Sequence, residues 1–132
     1  MLDEFLENNN IRGADALKYY IELFGFDMGI VHWFVDIKKQ EYPILKSIEK
    51  GKNNTSANEI KLLRTKDGYT EEQIALAINT SFTHEFWKRQ IFSLAQIRSK
   101  CKDGLTKFEH LLLVTKELQP SKNDGAEYEV LN

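Results

Sequence analysis

Four times in this chain a Ser or Thr is followed three residues later by a Glu or Gln, before or within an apolar pattern of helical period: Ser56 with Glu59, Thr70 with Gln73, Ser93 with Gln96, and Thr106 with Glu109. In such a capping box the hydroxyl accepts from the N–H three residues on, while the longer side chain reaches back to the N–H of the cap itself. Two donors orphaned at a helix start are satisfied together. The spacing predicts four helix starts. Asp67-Gly68 and Asp103-Gly104 supply stops for the first and third helices, because glycine takes the left-handed C-terminal conformation without a Cβ penalty. The fourth helix carries Phe108, Leu111, Leu112, Thr115 and Leu118 on one stripe. A further helix, from about Thr83 to Phe92, places Phe86, Trp87 and Ile91 between the second and third boxed helices, and Leu94, Ile97 and Cys101 share a stripe on the third.

Upstream, Leu17, Tyr20, Ile21 and Phe24 fall on one face of a helix from Ala14 to Phe24, which Gly25 ends. Asp27 to Lys39 reads as a second helix with Ile30, Val31, Phe34 and Ile37 turned inward and Lys38 and Lys39 at its C-terminal end, where cations complement the helix dipole. Pro43 starts a short third helix through about Lys50. No strand shows convincing alternation and no internal repeat occurs. The expectation is an all-α fold, a compact multi-helix domain of about seven to eight short helices, with 42% hydrophobic content over 132 residues sufficing for a single core. The polar link Gly51 to Thr55 divides it into an N-terminal helical subdomain over 1–52 and a second over 53–118, followed by a flexible acidic tail over 119–132.

Several classes of chemistry lack their residues. No apolar run approaches the ~20 residues that cross a bilayer, and the acidic start Met1-Leu2-Asp3-Glu4 is unlike a secretory signal, so a cytoplasmic protein is expected. Cys101 is the single cysteine, which forbids an intrachain disulfide and a cysteine-based zinc site. Neither a GxxxxGK[ST] nor a GxGxxG spacing is present, and His32, His84 and His110 lack a second His at i+3 or i+4. Glu71-Glu72 sits in a first helical turn, where carboxylates serve the dipole rather than acid-base work. No catalytic site, cofactor or metal is expected.

The charge is unevenly distributed. Residues 1–80 carry 10 basic against 13 acidic side chains, residues 81–118 carry 7 against 4, and the tail carries 1 against 3. Lys88, Arg89, Arg98, Lys100, Lys102 and Lys107 lie within 20 positions with Asp103 as the one interruption, and are the candidate DNA-binding residues if neighbouring helices turn them to one side. The N-terminal half is rich in aromatics, and any of Phe26, Met28, Trp33 and Phe34 left exposed would mark a partner-binding surface, including one for self-association.

From Asn58 to Leu112 the chain runs through a helix ending in Asp67-Gly68, then Tyr69-Thr70-Glu71-Glu72-Gln73-Ile74, then Phe86-Trp87-Lys88-Arg89-Gln90-Ile91, then Leu94-Ala95-Gln96-Ile97-Arg98. This order resembles the C-terminal helical domains of bacterial and phage replication-initiation proteins of the DnaD-like and phage replisome-organiser type. In that family a Tyr-xxx-Ile-xx-Trp motif is linked to DNA binding, and it falls here on Trp87, Ile91 and Leu94. The resemblance implies a non-enzymatic replication accessory protein of a bacterium, phage or mobile element. It would touch DNA weakly and without sequence preference through the basic residues, and contact a helicase, its loader or an initiator. The alternative is a protein-protein interaction adaptor or regulator with no DNA binding.

Overall fold

The helix that the others surround is α3, Phe26–Glu41, whose buried residues run almost round its circumference: Ile30, Val31, Trp33, Phe34, Val35, Ile37 and Lys38. It is described in a computed structural model covering residues 2–118; the tail expected over 119–132 lies outside the described residues. Before α3 come α1 (Leu2–Asn8) and α2 (Ala14–Phe24), the latter with the bounds its periodicity predicts. After it come a 3₁₀ turn at Lys46–Gly51, α4 (Asn54–Thr65), α5 (Glu71–Thr83), two more 3₁₀ turns at Trp87–Arg89 and Leu94–Gln96, and α6 (Lys107–Leu118). Six α-helices and three 3₁₀ turns, with no strand among the described residues, make this a compact all-α domain.

Gly25 alone separates α2 from α3, and the two fold back on one another closely enough that a Cβ on Gly29 would stand 2.8 Å from the backbone of Ile21. Only a hydrogen fits there. The turn between α1 and α2 is fastened from inside: Trp33 Nε1 donates to the Arg12 carbonyl at 2.7 Å, and the Arg12 N–H donates to Asn79 Oδ1 of α5 at 2.8 Å. Trp33 in turn meets Phe82 edge-on at 4.9 Å between centroids. α4 is tied to the start of α3 by a two-pronged Arg64–Asp27 pair at 3.0 and 2.8 Å. α5 and α6 share a buried hydrogen bond between the Thr80 and Thr115 hydroxyls. The buried apolar residues, from Leu6 through Ile60 to Leu111, form one cluster.

Two capping boxes form with both bonds, Thr70 with Gln73 and Thr106 with Glu109. The stop at Gly68 also forms, with φ of +80° and the Tyr69 N–H returning to the Leu63 carbonyl at 2.9 Å. Elsewhere the structure corrects the sequence reading. The cap of α4 is Asn53, whose side chain accepts from the Ser56 N–H; Ser56 is itself buried, with its hydroxyl unpartnered. Ser93 caps only the 3₁₀ turn Leu94–Gln96, Asp103-Gly104 closes a hairpin rather than a helix, and no α-helix spans Thr83 to Phe92. The helix expected from Pro43 is the 3₁₀ turn Lys46–Gly51.

The cause of the largest departure is visible at His84. It ends α5 in extended conformation, and its Nδ1 accepts from the N–H groups of Phe86 and Trp87, a local arrangement that replaces helix propagation. Beyond it, Ile91, Leu94 and Ile97 are buried at every third position, the period of a 3₁₀ rather than an α-helix.

Candidate nucleic-acid interface

From Ser99 to Lys107 the chain forms a tight hairpin: Cys101 N–H donates to the Leu105 carbonyl at 2.7 Å, Lys107 N–H to the Ser99 carbonyl at 3.0 Å, and Lys100 bridges Thr106 across the arms. Lys100 therefore stands on one arm, Lys102 in the tip, and Lys107 where the other arm enters α6. Lys100 and Lys102 are exposed and Lys107 half-exposed. The acid among them, Asp103, is occupied by His110 Nε2 at 2.8 Å and by the Leu105 N–H at 3.0 Å.

His110 also links the hairpin to the Trp87–Arg89 turn, since its ring stacks on Trp87 at 5.4 Å with 28° between planes. That turn supplies an exposed Arg89, a half-buried Lys88 whose ammonium lies 3.2 Å from Glu85, and Phe86, edge-on to Trp87 at 5.0 Å. His110 thus joins the Trp87–Arg89 turn to the tip of the hairpin that carries Lys100, Lys102 and Lys107. Arg89, Lys100, Lys102 and Lys107 have no ion-pair partner among the described residues.

Arg98 is differently employed. Its guanidinium takes both oxygens of Asp67 at 2.8 and 3.2 Å and lies 3.8 Å from Glu59, and the Asp67 hydrogen bond pushes its pKa up. It stitches the end of α4 to the segment before the hairpin. With Asp67, Tyr69, Lys100, Thr106 and Glu109 it lines a cleft of about 330 Å³.

The proposed partner surface of Phe26, Met28, Trp33 and Phe34 does not exist as such. Phe26, Trp33 and Phe34 are buried, because α3 is covered on nearly every side, and Met28 is half-buried. The apolar side chains that do reach solvent include Tyr19, Leu23 and Phe24 on α2. Sequence reasoning took Lys38 only for a cation at the C-terminal end of its helix. This lysine is 1% exposed, donates to the carbonyls of Ser81 at 2.9 Å and Lys88 at 2.7 Å, and lies 5.0 Å from the Phe92 ring centroid. Burial pulls its pKa down to about 8. Its position four residues after Phe34, on the same helical stripe, was the available signal. Among the described residues no group of three metal-ligating side chains occurs, and no helix is long and apolar enough to cross a membrane.

An all-α domain with an exposed cationic hairpin and an adjoining aromatic turn belongs, on this architecture, to the small helical modules rather than to any strand-built nucleic-acid fold. The chain belongs to the family described as phage replication protein O, C-terminal domain, which matches residues 30–107, more than half of its length. The match runs from within α3 to the first residue of α6 and takes in Lys38, the Trp87–Arg89 turn and the hairpin. The expected replication-protein character is thus borne out at the level of a phage replication family. No curated protein and no solved structure matches the chain significantly.

Proposed function

We propose that this chain is a non-enzymatic accessory module of phage DNA replication, working in the cytoplasm, that holds DNA weakly and without sequence preference while contacting a helicase, its loader or an initiator. The observation that supports the DNA half is the hairpin over Ser99 to Lys107, which carries Lys100, Lys102 and Lys107 without ion-pair partners among the described residues and is joined through His110 to the turn bearing Arg89. Family membership supports the replication setting, and the order of segments from Asn58 to Leu112 supports a kinship with DnaD-like domains.

The surface suits phosphates rather than base edges. Lysines on a hairpin provide point charges, whereas base readout needs planar side chains such as Arg, Asn and Gln held in a groove. Half-exposed Trp87 and exposed Phe86 add a stacking edge suited to unpaired bases. The test is the triple variant Arg89→Glu, Lys100→Glu, Lys102→Glu, assayed by fluorescence anisotropy on single- and double-stranded oligonucleotides at low salt. Loss of binding with an unchanged circular dichroism spectrum supports the reading, and a parent protein without DNA affinity overturns it.

A second reading, an adaptor that binds protein alone, has its own observation: two of the six candidate cations, Lys88 and Arg98, are held by carboxylates of this same chain. A parent chain that binds its partner but not DNA would establish it.

A further inference from the structure

α2 turns an unusual face to solvent. Tyr19 is 59% exposed, Leu23 55% and Phe24 47%, so three large apolar side chains at i, i+4 and i+5 stand in water on one short helix. Phe24 is held in place. Phe24 stacks on His32 at 4.3 Å with 16° between planes, Tyr20 stacks on Phe24 at 6.1 Å, and the Tyr20 hydroxyl donates to Asp36. A side chain already ordered loses little rotamer freedom when covered.

The charges around it are predominantly acidic. Residues 2–24 carry five carboxylates against two cations. Both cations are neutralised within the chain, Lys18 by Glu7 at 2.5 Å and Arg12 by Glu41 at 3.4 Å. The nearest cations on the α3 side are also matched, Lys52 with Asp36 at 3.2 Å and Lys39 with Glu49 at 3.4 Å. Asp15 and Glu22, exposed on α2 beside Tyr19 and Leu23, have no ion-pair partner among the described residues.

We infer that the exposed face of α2, built from Tyr19, Leu23 and Phe24 with Asp15 and Glu22 along its Tyr19 edge, docks a basic amphipathic helix of another protein. Apolar residues spaced at three and four on such a helix cover the aromatic and leucine side chains, and lysines or arginines along one of its edges meet the two unmatched carboxylates. An acidic or purely apolar helix would leave those carboxylates beside like charge or without solvent. The inference rests on the accessory reading for there being a protein partner, but makes no use of the cationic hairpin.

The test uses the full chain and a synthetic amphipathic Leu/Lys peptide, with a Leu/Glu peptide of the same pattern as control, followed by NMR chemical-shift mapping and titration. Shifts confined to α2 and its contacts, at least tenfold weaker binding by Leu23→Ser with Phe24→Ser, unchanged binding by Leu113→Ser on α6, and a preference inverted by Asp15→Lys with Glu22→Lys are expected. Equal binding of both peptides, shifts centred elsewhere, or loss of binding on Leu113→Ser would overturn the inference. So would sedimentation of the parent as a dimer that Leu23→Ser dissociates, which would make a second copy the occupant. DNA affinity measured on the same α2 variants stays at the parental value, so failure here is separable from failure of the hairpin variant.

Discussion

Lys38 donates a hydrogen bond from its buried ammonium to the main-chain carbonyl of Lys88, fifty positions further along the chain, at 2.7 Å. A second bond, to the Ser81 carbonyl at 2.9 Å, holds the end of α5. One side chain of the central helix thus fixes where α5 stops and where the Trp87–Arg89 turn begins, and with it the position of Arg89. Among the described residues no carboxylate forms an ion pair with the ammonium, which Glu41 favours only from a distance; the rings of Phe34, Tyr42 and Phe92 face it at 5.0 to 5.8 Å.

The stability of the parent relative to Lys38→Met is expected to depend on pH. The folded-state pKa of Lys38, about 8, lies below the ordinary lysine value of 10.5. Between those values the unfolded chain binds the extra proton, so the parent gains stability relative to the variant as pH rises from about 8 towards 10.5, by on the order of 2 kcal/mol. Tyr20, pushed up to about 12 chiefly by its hydrogen bond to Asp36, acts the other way above pH 10 but is common to both proteins and cancels. Urea unfolding from pH 7.5 to 10 checks this, and a flat difference would contradict it.

Gly29→Ala is expected to destabilise the domain by about 1 to 3 kcal/mol, because the new methyl meets main chain rather than a movable side chain. Thermal unfolding monitored by circular dichroism reads it. An unchanged midpoint would mean that α2 can shift away from α3 at no cost.

Three of the four sequence-predicted caps should separate on mutation to alanine. Thr70→Ala and Thr106→Ala each remove one side of a formed box and should cost about 1 kcal/mol. Ser56→Ala should be neutral or slightly stabilising, since it deletes a buried hydroxyl that has no partner. Chemical denaturation of the three variants settles the order.

Arg98 and the hairpin lysines should also divide. Replacing Lys100 or Lys102 by Gln should lower the slope of log affinity for DNA against log salt by about 1 per residue, with stability unchanged. Arg98→Gln should instead lower the unfolding midpoint, because Asp67 and Glu59 lose their partner. A salt titration alongside a thermal melt gives both readouts.

The parts of the fold legible in the sequence are those governed by local chemistry. Ala14 to Phe24, the Thr70 and Thr106 boxes, and the stop at Gly68 each follow from side chains within a turn of the feature they specify. The misread parts combine a local break at His84 with ties from far away. The stretch from His84 to Lys102 has helical-looking periodicity, yet Lys38 draws a carbonyl out of it, and Asp67 draws Arg98 aside. Likewise the aromatics of α3 suggested a surface, but the helix is enclosed by α2, α4 and α5, which periodicity along one segment cannot reveal. Of the candidate cations, Lys100, Lys102 and Lys107 share one hairpin because Asp103-Gly104 makes a turn there, a local signal the sequence reading took for a helix end.

The two tryptophans occupy opposite environments: Trp33 is sealed under the α1–α2 turn, while Trp87 is half-exposed and stacked on His110. Intrinsic fluorescence therefore carries two separable signals. A Trp87→Phe protein glows only from its interior and reports melting, whereas a Trp33→Phe protein emits from the cationic edge, where quenching by added oligonucleotide can be followed without attaching any dye.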